Sequence, residues 1–289
     1  MKKLLLSSIV ASLLIIPTID AKTSAQVTKD AVDAKKEQIA KENITIVQEA
    51  IDAVLLTKQV LVDLEKKEKA QAIKDVEKAI GKLEVVLAKK DAPVMLPIDV
   101  ATSAVEYIGD VESIEASLKE VRSLLNDHKV QEARVLLNTL QSEIDIVTVS
   151  LPLLSYPKAL KLAAAYIHDD KIEEAKDVLA MALSTLVQTR MVIPVALLKA
   201  EALIADAKEI AKKDKAQALK HLELAHKELE KAELLGYTSS SDITYKALND
   251  AINEIEEEVK GKNDAAKLFK KLLDKVSIFK QSASETTSK

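Results

Sequence analysis

The chain has 289 residues, with 42 Lys and Arg against 46 Asp and Glu, and a net charge of −4. It contains no Cys, no Trp, two Phe and four Gly. These counts exclude disulfide scaffolds, thiolate metal sites and cysteine nucleophiles, leave too few glycines for a Rossmann fingerprint, a P-loop or a β-sandwich, and speak against nucleic acid as a partner.

Lys2 and Lys3 precede an apolar run over residues 4–16, which Pro17 ends. A short positive segment, a short apolar segment and a small residue at the cut form the layout of a secretory signal peptide. The run is too short to cross a bilayer about 30 Å thick. Cleavage is expected after Ala21 or after Ala25, which gives a periplasmic address.

The rest reads as helix. Hydrophobic residues make up 48% of the chain and aromatics 2%, so Ala, Leu, Ile and Val must fill the core. Helices are predicted near 30–65, 69–89, 111–127, 129–145, 156–168, 171–187, 195–212, 215–235, 242–260 and 264–280, from apolar residues three and four apart. Asp63 with Lys67, Glu115 with Lys119, and Glu223 with Lys227 are charge pairs expected on solvated faces. Short polar turns at 126–129, 168–171 and 213–215 each precede an alanine deep in the next helix: Ala133, Ala175 and Ala218. Lys69-Ala70-Gln71-Ala72 echoes Lys215-Ala216-Gln217-Ala218. This is a degenerate repeat of two-helix units. The fold class is therefore nearly all-α, in stacked antiparallel hairpins that are tetratricopeptide-like in architecture alone.

Three apolar connectors carry proline, at 92–97, 149–154 and 191–194. β-Branched residues allow one or two short strands, near 98–108 and 146–150. Ser155 is placed to cap the helix opened by Pro157, and Gly236 to end the helix before it, with Tyr237 packing back. The expected organisation is a leader (1–21), a helical-hairpin domain (22–237), a C-terminal hairpin (238–281) of one acidic and one basic helix, and a tail without order (282–289).

The ordered combination of Pro97-Ile98-Asp99, Glu132-Ala133-Arg134-Val135-Leu136-Leu137, Ser142-Glu143-Ile144, Val149-Ser150-Leu151-Pro152-Leu153-Leu154-Ser155-Tyr156-Pro157, Ile193-Pro194, Lys199-Ala200-Glu201 and Leu234-Leu235-Gly236-Tyr237 resembles the YfdX family of secreted, mainly helical bacterial proteins. The resemblance runs over roughly residues 40–280. It departs where a second proline near Pro194 is replaced by Ala196 or Leu197. It implies a periplasmic protein linked to stress responses, and it supplies no catalytic residues to carry over.

Candidate sites are few. Glu143 lies before an apolar connector, and the chain has only three arginines, Arg122, Arg134 and Arg190. An ion pair of Glu143 with Arg134 or Arg190 is expected as a structural clamp between elements. Tyr156, Tyr166 and Tyr237, with Pro152 and Pro194, form the candidate rim of a pocket for a small apolar ligand. His128 and His168, in hairpin turns, are the candidates for sensing mild acid. His221 and His226 are five apart, about 140° around a helix, and do not share a face as metal ligands would. No cofactor and no metal are expected. The basic helix 264–280, with Leu268, Phe269, Leu272, Leu273 and Val276 on one face, can lie on an anionic membrane or pair with the acidic helix before it, the latter being preferred. The functional expectation is a non-enzymatic binding or scaffold protein with a protein partner or a second copy; a carrier of small apolar ligands is the alternative, and membrane-surface association a third.

Overall fold

The computed structural model describes residues 22–41, 47–239, 242–261, 265–283 and 287–288. The expected leader and its cleavage sites up to Ala21 lie outside the described residues. The helices are α1 (Ser24–Lys41), α2 (Gln48–Glu65), α3 (Lys69–Leu87), α4 (Val111–Asn126), α5 (Val130–Asn138), α6 (Tyr156–His168), α7 (Ile172–Ser184), α8 (Val195–Ile210), α9 (Lys215–Leu234), α10 (Ile243–Lys260) and α11 (Ala266–Ala283). The strands are β1 (Met95–Val105), β2 (Glu143–Pro152), β3 (Val187–Pro194) and the two-residue β4 (Thr287–Ser288), antiparallel in the order β1-β2-β3-β4.

The mainly helical fold with a few strands is as expected, with corrections in detail. The helix read over 30–65 is described as two helices that pack apart, α1 on α8 and α2 on α3. The helix read over 129–145 ends at Asn138, and Glu143 already belongs to β2. The helix read to 187 stops at Ser184, and the third connector is a full strand, β3. The tail expected to lack order from 282 is helical to Ala283, and Thr287 and Ser288 pair with β3.

Three hairpins share one turn. Lys67, His128 and Asp170 have φ of +62°, +59° and +63°. The next residue in each sends its N–H five residues back: Glu68 to the Asp63 carbonyl at 2.8 Å, Lys129 to Leu124 at 2.8 Å, Lys171 to Tyr166 at 2.9 Å. This motif satisfies the orphan carbonyls of a helix end and needs a left-handed residue. Gly236 supplies that residue after α9, at φ +84°, and the Tyr237 N–H closes on the Ala232 carbonyl at 2.9 Å. Ser155 does stand at the N-cap of α6, but its hydroxyl makes no capping bond. Asp63 is buried and held by Gln59 at 2.7 Å, so it is not the exposed partner of Lys67.

The hairpins can be aligned on these turns. Counting 14, 10, 7 and 3 residues back and 5 and 9 forward from the left-handed residue gives Ala53, Thr57, Val60, Leu64, Ala72 and Val76 in α2–α3. It gives Tyr156, Leu160, Ala163, Ile167, Ala175 and Leu179 in α6–α7. All twelve are buried. They are buried because the two hairpins mate, α2 on α7 and α3 on α6. Alanine at several of these places lets the helix axes approach closely.

The resulting core includes Leu96, Leu151 and Leu153 from the β1–β2 end of the sheet. A second core joins α8, α9, α10 and α11, with Phe269, Leu272, Val276 and Phe279 inside it and Val27 of α1 against it. A third patch places Val32 and Ile39 of α1 on Ile144 and Ile193 of the sheet. The packing thus groups the C-terminal hairpin with α8–α9. The sheet runs between the two helical cores: β2 gives Leu151 to the first and, through Ile144 in the third patch, meets α8 of the second.

Candidate functional site

Arg190 sits on β3 opposite Val147 of β2. Side chains two apart on a strand share a face, so Glu143, Asp145 and Val147 lie on one side of β2. Arg190 reaches along that side. Its Nε and an Nη donate to the two oxygens of Asp145, each at 2.9 Å, and the same terminal nitrogen donates to Glu143 Oε1 at 2.8 Å. The expected clamp therefore closes with Arg190. Arg134 is exposed on α5. Asp145, which the sequence reading missed, is the two-pronged partner, since the planar guanidinium fork matches a carboxylate. These bonds, chiefly those to Asp145, hold the Arg190 guanidinium above its ordinary pKa. Tyr237 meets the same cluster. Its hydroxyl accepts the Ser142 N–H at 2.9 Å. Burial pushes its phenol far above the ordinary range, and the neighbouring Glu143 and Asp145 carboxylates add to the rise.

The candidate pocket rim does not converge. Pro194 lies opposite Glu143 at the start of β2, and Pro152 ends β2. Nine strand steps separate those ends, about 30 Å. Tyr156 is fully buried in the first core, with Thr57 beside its phenol, and burial pushes its pKa up to about 12. Tyr166 packs against that core and has the Lys171 ammonium 5.8 Å from its ring. Tyr237 stands at the other end, on the Glu143 cluster. A recess of about 370 Å³ does lie between α1, α8 and α11, lined by Val27, Ala202, Ala205, Asp206 and Leu273.

His128 and His168 are both exposed. They are not equivalent, because His128 is the left-handed turn residue and His168 is the last residue of α6. The buried imidazole is His221. Its Nδ1 is 3.1 Å from Asp206 Oδ2, without the alignment of a hydrogen bond, and its Nε2 is 2.7 Å from Gln217 Nε2. A carboxylate beside Nδ1 favours the proton there, which leaves Nε2 to accept from the Gln217 amide. Burial pushes the His221 pKa down, and Asp206 opposes that shift. A signal for this pair existed in the sequence. Aligned on Ala218, Asp206 occupies the place of Val60, Val121 and Ala163 in the other hairpins. His226 faces Asn249 of α10, with Nδ1 to Oδ1 at 2.9 Å. Among the described residues, no group of acids and histidines is arranged to hold a metal ion.

The C-terminal helix does not offer its apolar face to a membrane. Phe269, Leu272 and Val276 of α11 are buried in the second core. No described helix is long and apolar enough to cross a membrane.

The α4–α5 hairpin is different from the others. In the shared alignment its six positions are Ile114, Leu118, Val121, Leu125, Ala133 and Leu137. Ile114, Val121 and Ala133 are buried, but Leu125 is 45% and Leu137 43% exposed. Val130 and Val135 beside them are 51% and 68% exposed. The hairpin is attached to the rest mainly through α4 on α9. It belongs to none of the three cores and shows an apolar surface built on the pattern that its two sister hairpins bury.

Fold and site together define a mainly helical hairpin protein organised around a small antiparallel sheet, with an ionic clamp on that sheet and one uncovered hairpin. The YfdX protein family model matches residues 53–192, a stretch that contains most of α2, all of α3–α7 and most of the sheet. That match covers just under half of the chain and agrees with the resemblance read from the sequence; the pieces of the resemblance from Ile193 onward lie outside it. A solved structure of Salmonella Typhi YfdX is similar at 14% identity, over 52% of this chain and 93% of that chain, with a TM-score of 0.37. Among curated proteins, none matches this sequence.

Proposed function

We propose that this protein is a non-enzymatic binding or scaffold protein of the bacterial periplasm, acting in the envelope stress response. The observation that carries the reading is the uncovered α4–α5 hairpin. Leu125, Val130, Val135 and Leu137 form an apolar surface on a helix pair whose own contacts leave it free to receive another helix. Grooves between stacked hairpins suit helical or extended protein segments. Of the candidate site residues, Arg190 meets Glu143, and with Asp145 they are committed to each other across the sheet. The periplasmic address rests on the leader-like residues 1–21. Cleavage after Ala21 would also keep the Lys22–Asp30 ion pair of 2.8 Å and the Thr23 hydroxyl that accepts the Gln26 N–H at the start of α1. The reading of the chain as a carrier for small apolar ligands is weaker, because its tyrosines and prolines are spread along the whole sheet.

Affinity capture from envelope extract, with native mass spectrometry of what co-purifies, tests the proposal. The exported protein should begin at Lys22 and retain a protein partner. Leu125→Glu with Leu137→Glu should lose that partner. Capture unaffected by the double substitution, a bound small apolar molecule instead, or turnover of any substrate would overturn it.

A further inference from the structure

Asp206 of α8 stands at the wall of the recess between α1, α8 and α11, three elements outside residues 53–192. Val27, Ala202, Ala205 and Leu273 make most of that wall apolar. Two other carboxylates line it, and each has a lysine. Asp30 has the Lys22 ammonium at 2.8 Å, and Glu209 has that of Lys208 at 3.7 Å. Asp206 has no lysine or arginine partner among the described residues. Lys22 feels its charge, but less than that of Asp30. The neighbour of Asp206 is the fully buried His221, whose Nδ1 is 3.1 Å from Oδ2. Neither of those two atoms has a hydrogen bond, and both are sealed from water. Burial keeps the imidazole neutral near pH 7, so it brings no positive charge to the carboxylate. The Asp206 side chain is 24% exposed. With Oδ2 turned in toward the imidazole, the rest of the carboxylate is what the recess presents. A partly buried carboxylate without a counter-charge is costly, and a bound cation relieves that cost.

We propose that this recess is a binding site for a small organic monoamine, with its ammonium on Asp206 and a short alkyl body against Val27, Ala202, Ala205 and Leu273. Each part of the ligand follows from the lining. Asp30, Asp206 and Glu209 stand against Lys22 and Lys208, which leaves one negative charge in excess. That suits one ammonium, and neither a diamine nor an anion. A metal ion needs several oxygen ligands, and the acids here are not arranged to supply them. The apolar walls are aliphatic, without an aromatic ring for stacking, so the body is an alkyl chain. A volume of about 370 Å³ is at the lower end of the range for small-molecule sites, about 300–1,000 Å³. The site is remote in function from the α4–α5 surface, and either reading can fail without the other.

Amide chemical-shift titration of the full chain with hexylamine, 1-hexanol and hexanoate tests this, since the probes share an alkyl body and differ in charge. Hexylamine should shift signals of α1, α8 and α11 to saturation, with an affinity about tenfold or more above that of hexanol. Hexanoate should not bind. Asp206→Asn should bring hexylamine down to the level of hexanol. Ala205→Met, which fills the recess, should abolish binding of both. Glu209→Gln, at the exposed rim, should keep hexylamine binding within about twofold of the wild type. If a variant fails to fold, the three probes on the wild type still decide. Equal binding of hexylamine and hexanol, saturable shifts that lie outside α1, α8 and α11, or an Asp206→Asn chain that still prefers the amine overturns the inference.

Discussion

His221 binds a proton less readily in the folded chain than a free imidazole does, because burial penalises the charged ring. The unfolded chain therefore binds more protons as the pH falls below about 6.5, and folding stability contributed by the neutral ring is full above that value and lost in the acid direction. Urea unfolding at pH 7 and pH 5 should show this loss in the wild type and a flatter response in His221→Gln. His128→Gln with His168→Gln, both at exposed turn positions, should leave it unchanged. Asp52, Asp75 and Asp170 are held below the ordinary carboxylate range, chiefly by hydrogen bonds from Lys82, Lys78 and Lys69. Their stabilising contribution is lost only at still lower pH, below about 3.9, so it does not overlap the His221 window. Arg190 belongs to the same scale. Its side chain is 44% exposed, so the ion pair itself is worth at most about 1 kcal/mol. Removing it costs more than the pair is worth, because Glu143 is buried and would lose its partner. Arg190→Ala should lower stability by about 1–3 kcal/mol, and Arg190→Lys by about 1 kcal/mol, since an ammonium cannot make the fork. Denaturant midpoints of the two variants check both.

At the scale of elements, the helix ends were legible and the strands were partly so. Lys67 and His128 hold left-handed conformations that carry a penalty of about 1–2 kcal/mol for a residue with a Cβ. Replacing either with Gly should raise stability by up to about 1 kcal/mol, read from chemical unfolding. Gly236→Ala should lower it by about the same amount, from backbone strain alone, because a methyl group there would meet nothing within 4 Å. β3 was hidden for a physical reason. Val187, Thr189, Met191 and Ile193 alternate with Gln188, Arg190 and Val192, yet a short run of mixed polarity becomes a strand only when a neighbour accepts its backbone hydrogen bonds. β2 is that neighbour. Residues 139–145 show the same competition: the apolar spacing would continue the helix, but Ile144 and Ile146 gain cross-strand partners in Ile193 and Met191.

At the scale of the molecule, two helical cores share one sheet. Leu160 belongs to the first and Leu222 to the second, and both are fully buried. Leu160→Ala and Leu222→Ala should each cost about 2–5 kcal/mol. Hydrogen exchange should show the loss of protection concentrated in α2, α3, α6 and α7 for the former and in α8–α11 for the latter, since side-chain contacts between the two groups run through the sheet. What the amino-acid sequence determined by itself was local: helix positions from apolar period, turns from polar breaks, the alanine repeat, the nearly all-α class, and the scarcity of reactive groups. Which arginine clamps Glu143, that Asp206 and His221 meet, that the basic face of α11 is left after its apolar face is used, and which hairpin goes without a mate were decided by tertiary structure. Period and propensity act over a few residues along the chain, whereas these four facts depend on partners tens of residues away, and a residue's pattern cannot say which of several matching surfaces will reach it first.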